Sequence, residues 1–496
     1  MMSTYVILFL AFILYRLSKA IYNLYLHPLR RFPGPKVAAA SHLYEFYWSV
    51  IRDGEFTWEI ERMHKKYGPI VRITPHELHI SDPSFYNEIY AGNPKRVDGD
   101  YRFTRSTGVT ESMFAAVDHD LHQARRSSLT KFFSKNSISN IQPIIQDKVE
   151  RFINRLREKQ GDTVNLTTLS AAFTADTISH YSYGVSMGCL DGETDNILTD
   201  ATQAVLAISH WLKFIPIRFS NAKKLHPRLV EKILPQAAVI LRTHRKISSM
   251  ALEVLNSKEP KAPHENMFAA LADLELPAEE RTLGRLEDEG FVVLAAGTET
   301  TAYSLSVTMF YLLDNPEIFS TLYDEIKKVM PIPTECPPLS VLENLPFLRA
   351  VVNEGFRLSF GTLTRHPRVA PDRVLQYKDW VIPAGTPCST ATYFVHTNTE
   401  IFPNPWKFDP YRWIRAAEQG QHLESRLTLF LKGTRSCLGI NMATAEMYML
   451  TANLVRRVKM KLHENTTVAC VTPARDHTIV IPKDTSGIRV VVLNVE

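Results

Sequence analysis

The chain has few cysteines for its length, and their spacing excludes the common cysteine-based architectures. Its 496 residues contain five, which are Cys189, Cys336, Cys388, Cys437 and Cys470. An odd number of widely separated thiols excludes a disulfide framework, a zinc ribbon and a cysteine-ligated iron–sulfur cluster. At most one of these thiols is therefore expected to carry chemistry.

The chain also lacks a dense basic block and low-complexity segments. The 57 Lys and Arg residues against 52 Asp and Glu leave a net charge of +5, too little to indicate nucleic acid as the main partner. Hydrophobic residues at 45% and charged residues at 22% are typical of globular proteins. This composition excludes a disordered chain, a collagen and a coiled coil.

One long apolar segment lies at the N-terminus. Residues 5–15 read YVILFLAFILY, and snorkelling of Arg16 and Lys19 would extend a helix from Thr4 to Leu26, long enough to span a bilayer. No basic residue precedes the run and no cleavage site follows it, which disfavours a signal peptide. We expect residues 1–27 to be a membrane anchor with the following domain in the cytosol. A buried first helix is the alternative.

Phe32-Pro33-Gly34-Pro35, within a predicted Pro/Gly hinge at residues 28–36, is the one convincing linker. Residues 37–496 are therefore predicted to form one large domain, mainly α with minor β. Its predicted elements are an early hairpin (Ile70–Ile73 and Leu78–Ile80), helices from about His119 to Leu358, a long helix at Leu283–Leu313, a helix at about Gly439–Val458 and strands at the end.

Cys437 lies in a specific sequence frame. Residues 430–439 read FLKGTRSCLG, which fills every fixed position of F-x-x-G-x-R-x-C-x-G. Chance would produce this in roughly one in several thousand chains of this length. The frame suits a thiolate ligand to haem iron, because the sulfur would lie near the N-terminus of the next helix.

The other fixed positions of this frame have physical roles around such a ligand. Phe430 can pack over the sulfur and exclude water, and Arg435 can pair with a haem propionate. Gly433 permits a tight turn, and Gly439 lets the backbone pass close under a flat macrocycle.

On these residues the sequence resembles the cytochrome P-450 family of haem-thiolate monooxygenases, from the anchor to the last strands. The resemblance implies a single helical P-450 domain with small sheets, and haem b with Cys437 as the axial iron ligand. It implies insertion of one oxygen atom from dioxygen into an apolar substrate, by hydroxylation or epoxidation. The segments IYNLYLHPLRRFPGPK and MHKKYGPIVRITPHELHISDPSFYNEIY resemble fungal secondary-metabolism members, above all the trichodiene-oxygenase group, and suggest a terpenoid or polycyclic substrate.

Residues 296–301, AGTETT, match the family's A/G-G-x-D/E-T-T signature in the long helix. The resemblance implies that Thr300 and Glu299 deliver protons to bound dioxygen and that Ala296 lies against the cofactor. Gly297 is expected to leave room there. The family more often has Asp at the acid position.

Two further sets of residues are implied by the family patterns. Glu354 and Arg357 form an E-x-x-R pair, and Arg412, in FDPYRW, is the expected third member of this scaffold. His122 stands where the family commonly has tryptophan, four residues before Arg126, which is expected to hold a propionate. Arg368 is the expected third propionate partner, with Arg365 as the alternative.

Family placement also indicates substrate-pocket residues, although core packing explains each of them equally well. They are Phe114, Trp211, Phe214, Leu294 and Leu363.

The sequence has no G-x-G-x-x-G segment for flavin or NADPH, so electrons must come from another protein. The resemblance implies NADPH–cytochrome P-450 reductase, with cytochrome b5 as an optional donor, and a monomer in the endoplasmic reticulum membrane. NADPH would act only through the reductase. Basic residues that could contact it are Lys131, Lys432, Arg456 and Arg457.

Two other functions match parts of the sequence. Residues 184–188 form G-x-S-x-G, the nucleophile elbow of serine hydrolases, but the residues before Ser186 are predicted helical where the elbow needs a strand. A non-catalytic haem-binding protein could use the same Cys437, and the presence of Glu299 and Thr300 argues against it.

Overall fold

The structure is a computed structural model that describes residues 2–192, 210–214, 230, 235–257 and 266–496. The α-helices, numbered α1 to α19 in chain order, are Met2–Ile21, Lys36–Ala40, Leu43–Phe46, Phe56–Tyr67, Tyr86–Ile89, Tyr101–Thr104, His119–Thr130, Lys135–Asn140, Gln142–Glu158, Leu166–Tyr183, Pro235–Leu255, Met267–Leu271, Leu283–Asp314, Pro316–Val329, Leu339–Glu343, Pro346–Ser359, Thr392–His396, Tyr411–Glu418 and Ile440–Arg457.

The strands are short and form small sheets. Numbered β1 to β12 in chain order, they are Ile70–Arg72, Leu78–Ile80, Asp98–Gly99, Thr163–Asn165, Arg368–Val369, Leu375–Tyr377, Trp380–Ile382, Pro387–Ser389, Val458–Leu462, Pro473–His477, Ile479–Pro482 and Arg489–Val495. The largest described sheet has the order β1-β2-β8-β5-β3. Its first two strands are the predicted hairpin, antiparallel with Ile70 opposite Ile80. The prediction of a mainly α fold with minor β is confirmed.

Helix α13 (Leu283–Asp314) is the long helix expected from the sequence. The side chain of Thr282 caps it by accepting a hydrogen bond from the backbone N–H of Arg285, and Asn315 ends it just before Pro316. The helix packs along α10 (Leu166–Tyr183) and α16 (Pro346–Ser359). Most of its C-terminal half is buried, and the residues that face the site described below lie around its middle, between positions 289 and 304.

The N-terminal helix lies outside this core. Among the described residues, Thr4–Leu26 is long and apolar enough to cross a membrane, and none of its apolar window is buried. The Pro/Gly segment that follows lies against the domain. Phe32 stacks on Trp380 with ring centroids 5.0 Å apart, and the carbonyl of Pro33 accepts a hydrogen bond from the N–H of Arg72 at 2.7 Å.

The surroundings of Ser186 do not form a nucleophile elbow. The residues before it belong to α10, which ends at Gly184 with φ of +76°, and turn structure follows. The Ser186 hydroxyl accepts a hydrogen bond from the N–H of Gly188 at 3.3 Å. The strand that the hydrolase motif requires before the serine is a helix here.

Candidate active site

A cavity of about 260 Å³ lies between α13 and the segment that carries Cys437. Cys437 is exposed to it, whereas Cys189, Cys388 and Cys470 are buried elsewhere and Cys336 is partly buried. The thiol singled out by the sequence frame is therefore the one that opens onto an internal space.

The segment before Cys437 makes a tight approach to residues 90–91. Gly433 has φ of +73°, and a Cβ placed on it would lie 2.2 Å from the carbonyl oxygen of Ala91. The N–H of Cys437 donates to the carbonyl of Phe430 at 2.8 Å, which closes the turn. Only glycine satisfies both the backbone conformation and the contact at position 433.

Opposing influences act on the Cys437 thiol. Burial raises its pKa, while a hydrogen bond from the Gly439 backbone and the charge of Arg126 lower it. The phenyl ring of Phe430 also lines the cavity and meets Phe356 edge to face, with centroids 5.1 Å apart. The sulfur thus lies beside the Arg126 cation and the N-terminus of α19, with the rings of Phe430 and Phe356 nearby.

Five basic side chains line the same cavity: His122, Arg126, His366, Arg368 and Arg435. Nη1 of Arg126 donates to the carbonyl of Ser436 at 2.7 Å. Arg368 lies over the ring of Tyr90 at 5.5 Å and donates to the carbonyl of Pro367 at 3.2 Å, without a carboxylate partner among the described residues. Burial, followed by the charges of nearby arginines, lowers the pKa of His122 to about 3. Within the described part of the chain, its Nδ1 has no hydrogen-bond partner.

The alternative Arg365 is placed differently. Its guanidinium forms buried ion pairs with Glu45 at 2.6 Å and Glu77 at 2.7 Å, and it is not part of the cavity wall. Arg368 is the member of this pair that reaches the cavity.

Arg435 is held mainly by backbone carbonyls. Its Nε donates to Val97 at 3.1 Å, and its two terminal nitrogens donate to the carbonyls of residues 116–118 at 2.6–3.2 Å. Burial lowers its pKa to about 9. Four of its five N–H donors are therefore used to fix the loop that precedes α7 (His119–Thr130), and one remains for a ligand.

On the opposite wall, α13 presents Ala296 and Thr300. The Thr300 hydroxyl donates to the carbonyl of Ala296, one turn earlier, at 2.8 Å. Glu299 is buried and does not line the cavity, although its neighbour Thr300 does. A Cβ on Gly297 would lie 2.9 Å from Ile178, so this glycine is also required for the packing of α13 on α10.

The predicted scaffold residues form a buried network. Glu354 accepts two hydrogen bonds from Arg357 at 2.8 and 2.9 Å and one from Arg412 at 3.1 Å. The N–H of Asp409 and the indole of Trp413 also donate to it, at 2.9 and 3.0 Å. Every donor in this network comes from α16 or from the segment 409–413.

Of the five predicted pocket residues, Phe114 lines the cavity and the other four do not. Leu294 and Leu363 point into the hydrophobic core and are at most 3% exposed. Trp211 and Phe214 pack edge to face on Phe46. The cavity wall also includes Phe103 and Met113, from the chain stretch of Phe114, and Thr362, from that of Leu363, which family placement covers. The lining residues that it missed are Glu289, His366 and Glu446.

Two of the four predicted reductase contacts are buried. Arg456 donates to the carbonyls of Met330 and Pro331, and Arg457 pairs with Glu150 at 2.7 Å. Both guanidinium groups are used inside the fold and cannot form a docking surface. Lys131 and Lys432 are accessible.

Comparisons with known proteins agree with this geometry. Residues 41–486 match the family model described as Cytochrome P450. The chain is 45% identical to conidiogenone synthase PchP450 of Penicillium rubens, over 94% of each chain. It is 42% identical to the cytochrome P450 monooxygenase TRI4 of Fusarium sporotrichioides and 41% identical to that of Trichoderma arundinaceum, over 96% of this chain and 92% of each relative.

Proposed function

This chain belongs to the cytochrome P450 family and is an oxidoreductase, and we propose that it oxygenates a terpenoid or other apolar polycyclic intermediate of a fungal secondary-metabolite pathway. The observation that carries the proposal is the cavity that has the Cys437 sulfur on one wall and the Thr300 hydroxyl on the other. The names of the relatives, a conidiogenone synthase and two TRI4 monooxygenases, support the pathway class.

The residues present fit haem b. Cys437 would be the iron ligand, and Arg126, Arg368 and the remaining N–H of Arg435 would bind the propionates. These guanidinium groups converge on one cavity together with His122, whose Nδ1 has no partner among the described residues. A ligand with two negative charges, such as the two propionates of haem, would pair with them. Phe430 would shield the sulfur from water. When bound, haem iron supplies the activation of dioxygen.

The protein's own part in the reaction is to hold a proton and exclude water. The Thr300 hydroxyl already holds its proton in a hydrogen bond to the Ala296 carbonyl. A rotation about its side-chain bond would redirect that proton into the cavity. Glu299, on the neighbouring face of α13, would resupply Thr300 from the protein side.

We infer the electron supply and the location from the family and from the N-terminal segment. Residues 1–27 would anchor the protein in the endoplasmic reticulum membrane, with the domain at 37–496 in the cytosol, because the positive charges follow the apolar run. NADPH–cytochrome P-450 reductase, assisted by cytochrome b5, would dock near Lys131 and Lys432. The monomer would suffice for activity.

The experiment is an absorbance spectrum of the purified protein, reduced and saturated with carbon monoxide. A thiolate-ligated haem gives the strongly red-shifted Soret band after which the family is named, and the proposal requires it. Co-expression with a reductase then allows candidate terpenoids to be fed and the oxygenated product identified. A purified protein without the band would contradict the proposal.

A further inference from the structure

His366 and Thr362 form a hydrogen-bonded pair in the cavity wall. The Nε2 atom of His366 lies 2.9 Å from the Thr362 hydroxyl oxygen, and both residues line the cavity. The imidazole meets the ring of Phe103 edge to face at 5.1 Å, and Phe103 in turn contacts Phe114 at 6.0 Å. A polar pair is therefore set within an aromatic wall.

His366 is neutral in this setting. Burial lowers its pKa to about 3, and the charges of Arg368 and Lys213 act in the same direction. A neutral imidazole carries one N–H donor and one acceptor nitrogen. Thr362 uses Nε2, and Nδ1 makes no hydrogen bond to any residue within the described ranges.

Several other polar groups of the wall are already used by the protein. The hydroxyl of Thr300 bonds to the Ala296 carbonyl, and that of Ser304 bonds to the carbonyl of Thr300. Glu289 is ion-paired with Arg285. The Nδ1 atom of His366 differs from the groups of these three residues, because no residue within the described ranges bonds to it.

The pairing with Thr362 decides which ligand groups fit. When the threonine hydroxyl donates to Nε2, the proton is on Nδ1, which then donates. When Nε2 donates to the hydroxyl, Nδ1 accepts. An alcohol satisfies both arrangements and a ketone satisfies the first, while a hydrocarbon leaves a buried nitrogen without a partner.

We infer that this site takes a terpenoid that already carries a hydroxyl or carbonyl oxygen, which is held by His366 against the Phe103 wall. The inference rests on the proposed function. The reaction that supplies the substrate must itself add oxygen to the skeleton. Capture of a carbocation by water, with loss of a proton, is one such reaction, and an earlier hydroxylation is another.

The test compares an alcohol with the hydrocarbon of the same skeleton, cedrol with cedrane, on the haem-containing full-length protein. Dissociation constants are measured by equilibrium dialysis, and haem content is measured separately as the pyridine haemochromogen. We expect cedrol to bind about tenfold more tightly than cedrane. His366→Leu should remove this preference by weakening cedrol alone, Thr362→Val should reduce it, and His366→Gln should restore part of it.

Phe103→Leu is the matched control, since it should weaken both compounds alike. The inference is overturned if the wild-type protein binds both compounds equally, or if His366→Leu weakens both in the manner of Phe103→Leu. It is also overturned if the His366→Leu protein loses haem but keeps the preference for cedrol over cedrane, because the imidazole then holds the cofactor and not the substrate. Failure of the proposed function would show independently, as a missing thiolate band in the wild-type protein.

Discussion

The indole Nε1 of Trp413 donates a hydrogen bond to Oε2 of Glu354 at 3.0 Å. The carboxylate is completely buried, and this bond completes a set of donors that includes Arg357 and Arg412. The network joins α16 to the segment that begins α18 (Tyr411–Glu418). It requires every partner, because an ionised group without water must be paired.

Replacing one partner should therefore destabilise the fold. We expect Trp413→Phe to lower the free energy of unfolding by about 1.5–3 kcal/mol, the contribution of a hydrogen bond to a charged group. Glu354→Gln should cost about 3–5 kcal/mol, because it leaves buried arginines without their anion. Urea denaturation followed by tryptophan fluorescence and circular dichroism measures both. The control is Trp406→Phe, because Trp406 is 48% exposed. Equal stability of the two tryptophan variants would contradict the role of the network.

The two glycines of the cysteine segment should respond differently to the same substitution. Gly433→Ala places a methyl group 2.2 Å from the Ala91 carbonyl oxygen at a positive φ, whereas Gly439→Ala meets nothing closer than the Cys437 sulfur at 4.0 Å. We expect Gly433→Ala to lower the free energy of unfolding by about 3 kcal/mol and to reduce haem retention. Gly439→Ala should remain close to wild type in thermal denaturation of the haem-free protein, because the contact expected of this glycine is with the cofactor. A well-folded, haem-replete Gly433→Ala protein would contradict the close approach.

Thr300→Ala should separate NADPH consumption from product formation. Without the hydroxyl, the proton that Thr300 holds in its bond to the Ala296 carbonyl is missing from the cavity. The amount of product formed per NADPH consumed should therefore fall about tenfold or more, and hydrogen peroxide should be released. Thr300→Ser keeps a hydroxyl and should retain most of the coupling. NADPH oxidation, peroxide and product are measured in one reconstituted assay. Unchanged coupling in Thr300→Ala would remove this residue from the relay.

Stability should fall as the solution is made acidic. Burial lowers the pKa of His396 to about 3, from 6.5 in an unfolded chain. Between these values the unfolded state binds the extra proton, so stability is fully present above pH 6.5 and is lost as the pH falls. His122 and His366 act in the same direction.

Each such histidine contributes a slope of up to about 1.4 kcal/mol per pH unit. Nε2 of His396 accepts a hydrogen bond from the N–H of Thr428 at 2.9 Å, which requires the neutral ring. Its Nδ1 lies 2.8 Å from the carbonyl of Arg357, a contact that raises the pKa but is outweighed by burial. Urea denaturation at pH 7.5 and 5.5 should show the loss, and His396→Gln should reduce the slope by about one proton. A slope unaffected by His396→Gln would contradict this assignment.

The sequence predicted the features that depend on local patterns. The frame around Cys437 specifies residue types at fixed spacing, and the long helix is delimited by the Thr282 cap and Pro316. Each can be read without knowing what packs against it. The E-x-x-R pair was likewise predicted, although the contribution of Trp413 follows from the fold alone.

What the sequence could not predict depends on the direction in which side chains point. Leu294 lies two residues before Ala296, about 200° around the helix, and faces the core instead of the cavity. Arg456 and Arg457 look like surface charges in the sequence, but carbonyls and a carboxylate bind them inside the fold. The role of His366 depends on its pairing with Thr362, which follows from their placement in one loop.

The most direct test of the central claim is the carbon monoxide difference spectrum of Cys437→Ala beside that of Cys336→Ala. Cys437 opens onto the cavity, whereas Cys336 is partly buried elsewhere and its sulfur accepts a hydrogen bond from Asn453. We predict that Cys437→Ala abolishes the red-shifted Soret band and that Cys336→Ala keeps it at wild-type intensity. A Cys437→Ala protein that retains the band would contradict the assignment of Cys437 as the iron ligand.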